Sequence, residues 1–190
     1  MSEMFPAHTV ETSPDEVRPV MQAMQERMGF IPSMMAKFAE APPLLMGYQT
    51  LAPFFDKTSL DPTERLIVYL VASYRHNCDF CMSAHSWFAH RQGIDEGVIT
   101  ALREGRSLGD AKLEALRIFV AAMLEKRGAV SDEDKRAFFE AGYSPRQALE
   151  VILGLALKTM TNYTNALART PPNPEFGNAL WERRAEAPVL

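Results

Sequence analysis

The chain has 190 residues, 47% of them hydrophobic and 23% charged, a balance that excludes a disordered or fibrous protein and suffices for one globular domain with a real core. Its formal charge of -4 and pI near 5.6 come from acidic and basic residues interspersed along the whole length, which leaves no basic stripe for nucleic acid. The opening MSEMFPAHTVETSPDE lacks the basic start and apolar middle of an export signal, and the longest strongly apolar run, 151–157, is too short for a bilayer; a soluble, cytoplasmic protein with no membrane partner is expected.

Taken in chain order, Ser13-Pro14-Asp15-Glu16 reads as a helix start, with Ser13 as cap and the helix running to about Met28. Prolines at 32, 42 and 43 then separate two helical patterns, roughly 33–39 and 43–55. Asp61-Pro62-Thr63-Glu64 repeats the start signal ahead of Leu66, Ile67, Leu70, Val71 and Tyr74, a mostly apolar and therefore central helix. A segment carrying Cys81, His85, Phe88 and Ala89 follows the break at His76-Asn77 and closes at Gly93, where Gly-Ile-Asp-Glu opens another helix to about Arg103. Helices are expected from Gly109 to Lys126, from Ser131 to Ala141, and onward from Ser144-Pro145, the last with Leu149, Ile152, Leu153, Ala156, Met160, Tyr163 and Leu167 inward. No alternating strand pattern occurs, so the fold class is all-α: a multi-helical bundle in a single domain over 1–190, with 171–190 as a C-terminal arm. Pro62 and Pro145 each open a long apolar helix that is expected to close on an Asn, Asn77 and Asn162, which suggests an internal duplication.

Both cysteines of the chain, and two of its four histidines, fall in HNCDFCMSAH, residues 76–85. Cys78, Cys81 and His85 stand at spacings of three and four, which on a helix places two thiols and a base on one face. A thiolate, not a thiol, is the nucleophile, and a helix N-terminus with a neighbouring base or cation is what raises its fraction at neutral pH. Cys81, one turn before His85, is the candidate attacking thiolate; His85 is its proton acceptor or, once protonated, a stabilising cation; Cys78 is the resolving partner. Two rival readings remain at this level. Zinc could take Cys78, Cys81 and His85 with His76 or His90 as a fourth ligand, although no second Cys-x-x-Cys exists, and the thiols could be inert core residues.

Leu60-Asp61-Pro62, the NCDFCMSAH run and AHRQGI at 89–94 together resemble the AhpD-like alkylhydroperoxidases of the carboxymuconolactone decarboxylase family, with Cys-x-x-Cys-x-x-x-His as the most specific part. The likeness extends from about Gly29 to Pro174. It implies a helical bundle that assembles into homo-oligomers, trimers or hexamers, and reduces hydrogen peroxide or organic hydroperoxides through the cysteine pair in antioxidant defence, without a cofactor or metal. A thioredoxin-like or lipoyl-bearing dithiol protein would then re-reduce the disulfide. In that family the second cysteine attacks the peroxide, which agrees with Cys81. Relay-bearing members also carry a Glu twelve residues before the first cysteine, where this chain has Leu66, and some have a His where it has Phe80. Glu64, His76 and Tyr74 are the residues that could rebuild the relay; Glu64, two positions from the family's site, is turned about 200° from it on a helix. A non-catalytic oligomeric redox sensor and a decarboxylase-like lyase are the alternative functions.

Overall fold

A computed structural model describes residues 4–182; the last eight residues of the expected arm lie outside them. The described residues form helices α1 (Arg18–Met28), α2 (Ser33–Phe38), α3 (Pro42–Asp56), α4 (Pro62–Arg75), α5 (Asp79–Arg91), α6 (Glu96–Glu104), α7 (Ala111–Glu125), α8 (Asp132–Glu140) and α9 (Pro145–Ala168), then a 3-10 segment, Pro174–Ala179, with no strand among them. The all-helical class read from the pattern is therefore the observed one.

Most helix starts follow the local chemistry. Asp61 accepts from the Glu64 amide at 2.8 Å while Glu64 accepts from the Asp61 amide at 2.9 Å, and Ser131 with Asp134 and Ser144 with Gln147 close the same reciprocal box. The first helix departs from expectation. Ser13 donates its hydroxyl back to the Val10 carbonyl, residues 10–12 and 15–17 form turns, and α1 begins only at Arg18. Pro19 is the reason: a helix begun at Pro14 would drive the Pro19 ring into the carbonyl one turn earlier, whereas in the first turn of α1 the ring costs nothing.

Helix α4 is the hub, packed against α5, α6, α7 and α9, and its Ile67, Val68, Leu70 and Ala72 are fully buried. A smaller apolar cluster joins α1, α2 and the start of α5 to Phe176 of the 3-10 segment. That segment is held by Arg103, whose guanidinium donates to the carbonyls of Ala179 and Leu180 at 2.8 Å, and by Asn173, which accepts from the Ser33 amide at 2.7 Å.

The setting of α9 corrects a second expectation. Leu149, Ile152, Tyr163 and Leu167 are not inward; they are 68%, 48%, 60% and 69% exposed and form one outer stripe, with Ala156 between them also exposed. The buried face instead carries Val151, Gly154 and Leu157, then Lys158, Thr161, Asn162 and Asn165. Asn162 also does not close the helix, which runs on to Arg169 in a left-handed cap. Gly154 sets this rotation. A Cβ there would lie 2.7 Å from both the Phe55 ring and Val68, so α9 can cross α3 and α4 this closely only with glycine at the contact.

Candidate active site

Helix α4 ends at Arg75, His76 caps it, and Asn77 adopts a left-handed conformation (φ 50°) that turns the chain back. The Cys78 amide is tied to the Ser73 carbonyl at 2.9 Å, which fixes Cys78 as the N-cap of α5 and puts Cys81 in that helix's first turn. Cys78 contributes no side-chain cap, so its sulfur is free to face its partner. Both thiols are free and buried.

Across from them runs the polar face of α9. Asn165 Nδ2 lies 3.3 Å from Cys81 Sγ and 3.6 Å from Cys78 Sγ, one amide donating toward both sulfurs. Lys158, 1% exposed, places Nζ 2.9 Å from His85 Nε2 and 5.3 Å from the centre of the Tyr69 ring, on which the His85 imidazole is itself stacked at 4.4 Å. An ammonium has donors only, so His85 Nε2 is the acceptor and the imidazole is neutral, with its proton on Nδ1.

The electrostatics follow from this arrangement. Burial alone would raise the Cys81 pKa, but the hydrogen bond from Cys78, the Lys158 ammonium and the Thr161 hydroxyl outweigh it and bring the thiol down to about 6. Cys78 is pushed far up by donating to Cys81 and by burial, so the pair holds one anion, on Cys81. Burial, then the neighbouring Lys158, drives His85 well below its ordinary range. The cation beside Cys81 is therefore Lys158 and not a protonated His85.

A cavity of about 300 Å³ opens onto this cluster, with Cys81, His85 and Lys158 at its base and Tyr48, Phe80, Phe88, Phe176, Met34 and Met35 among its walls. Cys78 does not line it. A second cavity of about 290 Å³ shares Tyr48 and His85 with the first, and Leu66 is among the residues that line it. The 3-10 segment enters the site through Phe176, which packs edge-on against Phe80 at 5.7 Å.

The three relay candidates lie apart from this base. Glu64 is at the far end of α4, about 17 Å of helix from Arg75, where it completes the capping box and accepts from Lys112 at 2.9 Å. Tyr74 points its hydroxyl to the Glu104 carbonyl at 3.4 Å and packs on Trp181. His76 sits at the close of α4 against Tyr163, ring centres 5.5 Å apart. His90 pairs with Glu96 at 3.1 Å. No group of three or more His, Cys, Asp or Glu side chains able to hold a metal ion lies together among the described residues, so the zinc arrangement has no structural counterpart there.

Lys158 and Asn165 were missed by sequence reasoning. Their signal was present: Lys158, Asn162 and Asn165 recur at helical spacing beside Val151, Gly154 and Leu157, so one of two competing faces of an apolar helix carries three amide or ammonium groups.

Residues 39–128 match the carboxymuconolactone decarboxylase family, a span that holds Cys78, Cys81 and His85 but stops short of α9. No curated protein sequence matches the chain. Among solved structures, an uncharacterized peroxidase-related protein from Ralstonia eutropha JMP134 with an alkylhydroperoxidase AhpD core superposes with a TM-score of 0.80 at 19% identity, over 90% of this chain and 93% of that one. A peroxidase-related protein from Silicibacter sp. TM1040 gives 0.77 at 20% identity, over 92% and 95%. A debrominase in complex with 2,3,4-tribromopyrrole gives 0.77 at 18% identity, over 94% and 96%. At these identities the likeness is one of fold.

Proposed function

We infer that this chain, whose residues 39–128 carry the helical core of the carboxymuconolactone decarboxylase family, is a thiol-dependent peroxidase. The observation that supports it most is the placement of Cys81 on the lining of a cavity it shares with His85 and Lys158, with its sulfur 3.3 Å from the Asn165 amide and a second free thiol beside it. The Cys81 thiolate attacks the outer oxygen of a hydroperoxide; the O–O bond breaks, Cys81 becomes a sulfenic acid, and the leaving alkoxide takes a proton from the Lys158–His85 pair. Cys78 then condenses with the sulfenic acid, giving a disulfide and water, and an external dithiol reduces the disulfide. A wall of aromatic and methionine side chains favours organic hydroperoxides over hydrogen peroxide.

The same cavity supports a second reading, because its volume and aromatic lining suit a ring-sized substrate. In that chemistry the thiolate would take a halogen from an electron-rich ring, the ring carbon would be protonated, and Cys78 would displace halide to form the same disulfide. We further propose that a second copy of the chain covers the outer apolar stripe of α9, which would make the protein a homo-oligomer in the cytoplasm.

The test is a thiol titration of reduced protein after one equivalent of cumene hydroperoxide. Loss of both thiols to an intramolecular disulfide is expected, with steady peroxide consumption in the presence of dihydrolipoamide that disappears in Cys81→Ser. Two free thiols after exposure would refute the reading; a single oxidation without turnover would mark a sensor, and halide release from a bromopyrrole without peroxide consumption would favour the second chemistry.

A further inference from the structure

Two different polar environments flank the thiol pair. Cys81 has the cavity, Lys158 and Thr161, all engaged in the attack on substrate. Away from the cavity lining lie His76, Asn77 and Asn162, which that attack leaves without a chemical role, and Asn165, whose amide reaches both sulfurs. Asn77 Oδ1 and Asn165 Oδ1 are buried with no hydrogen-bond partner among the described residues, and the His76 ring is held by the Asn162 side chain. Interiors rarely leave such atoms unpaired, and polar oxygens without a partner beside a buried thiol are where an ordered water is held.

The cluster is continuous. Asn165 Nδ2 is 3.6 Å from Cys78 Sγ; Asn162, one turn earlier on α9, is anchored to Ser73 Oγ at 3.5 Å and lies against the His76 imidazole. His76 in turn is only partly buried and borders the exposed Tyr163, so its ring spans from the buried amides to the surface.

We propose that His76 accepts the proton of the resolving thiol, through water held by the Asn162 and Asn165 amides, so that closing the disulfide has its own proton route separate from the one that serves the attack on substrate. The inference rests on the peroxidase reading. Once Cys81 is a sulfenic acid, the Cys78 S–H bond breaks and its proton passes to His76. The Cys78 sulfur displaces hydroxide from the Cys81 sulfur, the S–S bond forms, the hydroxide leaves as water on taking a proton from solvent in the cavity, and His76 returns the thiol's proton to solvent at the surface. No further oxidant is needed. Burial keeps His76 below its ordinary pKa and hence neutral and able to accept, and once the Cys81 sulfur is bonded to oxygen the anion that held the Cys78 proton is gone.

Reduced full-length protein is mixed with one equivalent of hydrogen peroxide, quenched at intervals with dimedone and with N-ethylmaleimide, and followed by intact mass. In His76→Gln the Cys81 sulfenic acid forms within about twofold of the wild-type rate but converts to disulfide roughly tenfold or more slowly. Asn162→Ala slows the same step less, and added imidazole restores part of the rate in His76→Ala, which a merely structural role for the ring would not allow. Conversion at the wild-type rate in both His76 variants, unaffected by imidazole, overturns the inference alone. Wild-type protein that forms neither sulfenic acid nor disulfide overturns the peroxidase reading and the inference with it.

Discussion

Replacing Lys158 by Met tests the electrostatic core of the site, because the exchange keeps the length of the side chain and removes its charge. The ammonium is 2.9 Å from His85 Nε2, and its charge also acts on the Cys81 sulfur and lowers that thiol's pKa. A unit charge about 5 Å away, at an effective dielectric of about 20, contributes about 3 kcal/mol, or roughly two pKa units. The Cys81 thiol, now at about 6, is then expected to titrate near 8, and its thiolate fraction at pH 7 to fall from about nine-tenths to about one-tenth. The rate at a single pH would hide this. A thiolate two units more basic is intrinsically about six- to tenfold more nucleophilic, which nearly offsets the lost fraction at pH 7. The assay is therefore the full pH dependence of iodoacetamide alkylation of Cys81 in a Cys78→Ser background, in which any change in the hydrogen bond from position 78 is common to both proteins and cancels. Lys158→Met should move the midpoint up by about two units and raise the alkaline plateau, and Lys158→Arg should leave the midpoint within about half a unit. A midpoint unmoved by Lys158→Met would show that Lys158 does not hold the thiolate.

Glu64→Ala removes one arm of the α4 capping box and the partner of Lys112, so it should lower stability by about 1–2 kcal/mol in urea melts while leaving the Cys81 alkylation midpoint in place; a shifted midpoint would return Glu64 to the proton relay. Gly154→Ala drives a methyl group into Phe55 and Val68, and although alanine is the better helix former by about 1 kcal/mol, the clash should dominate and lower Tm by about 3–6 °C; a rise would mean α9 can back away from α3 and α4. Ile152→Glu combined with Leu167→Glu places charges in the exposed stripe and should yield monomers in light scattering, whereas wild-type protein already monomeric at micromolar concentration would refute the interface.

What the sequence determined by itself were the features that depend on neighbours three or four residues away. The Asp61, Ser131 and Ser144 caps, the end of α4 before Asn77 and the seat of Cys78 and Cys81 at the start of α5 are all set by bonds between an amide and a side chain or carbonyl close in the chain, and these are legible in a string of letters. Pro19 was legible too, and it overrides the Ser13 start for a local steric reason. Tertiary structure decided which face of α9 turns inward. That helix is apolar on two sides, so periodicity alone is satisfied by either; the glycine crossing at Gly154 selects the side that carries Lys158 and Asn165 to the thiols and leaves Leu149, Tyr163 and Leu167 outside. The identity of the cation beside Cys81 was decided in the same way. Lys158 stands 73 positions from His85 in the chain, and only packing of α9 on α5 brings a buried ammonium to an imidazole and a sulfur, where the low dielectric makes one charge enough to fix which thiol ionises.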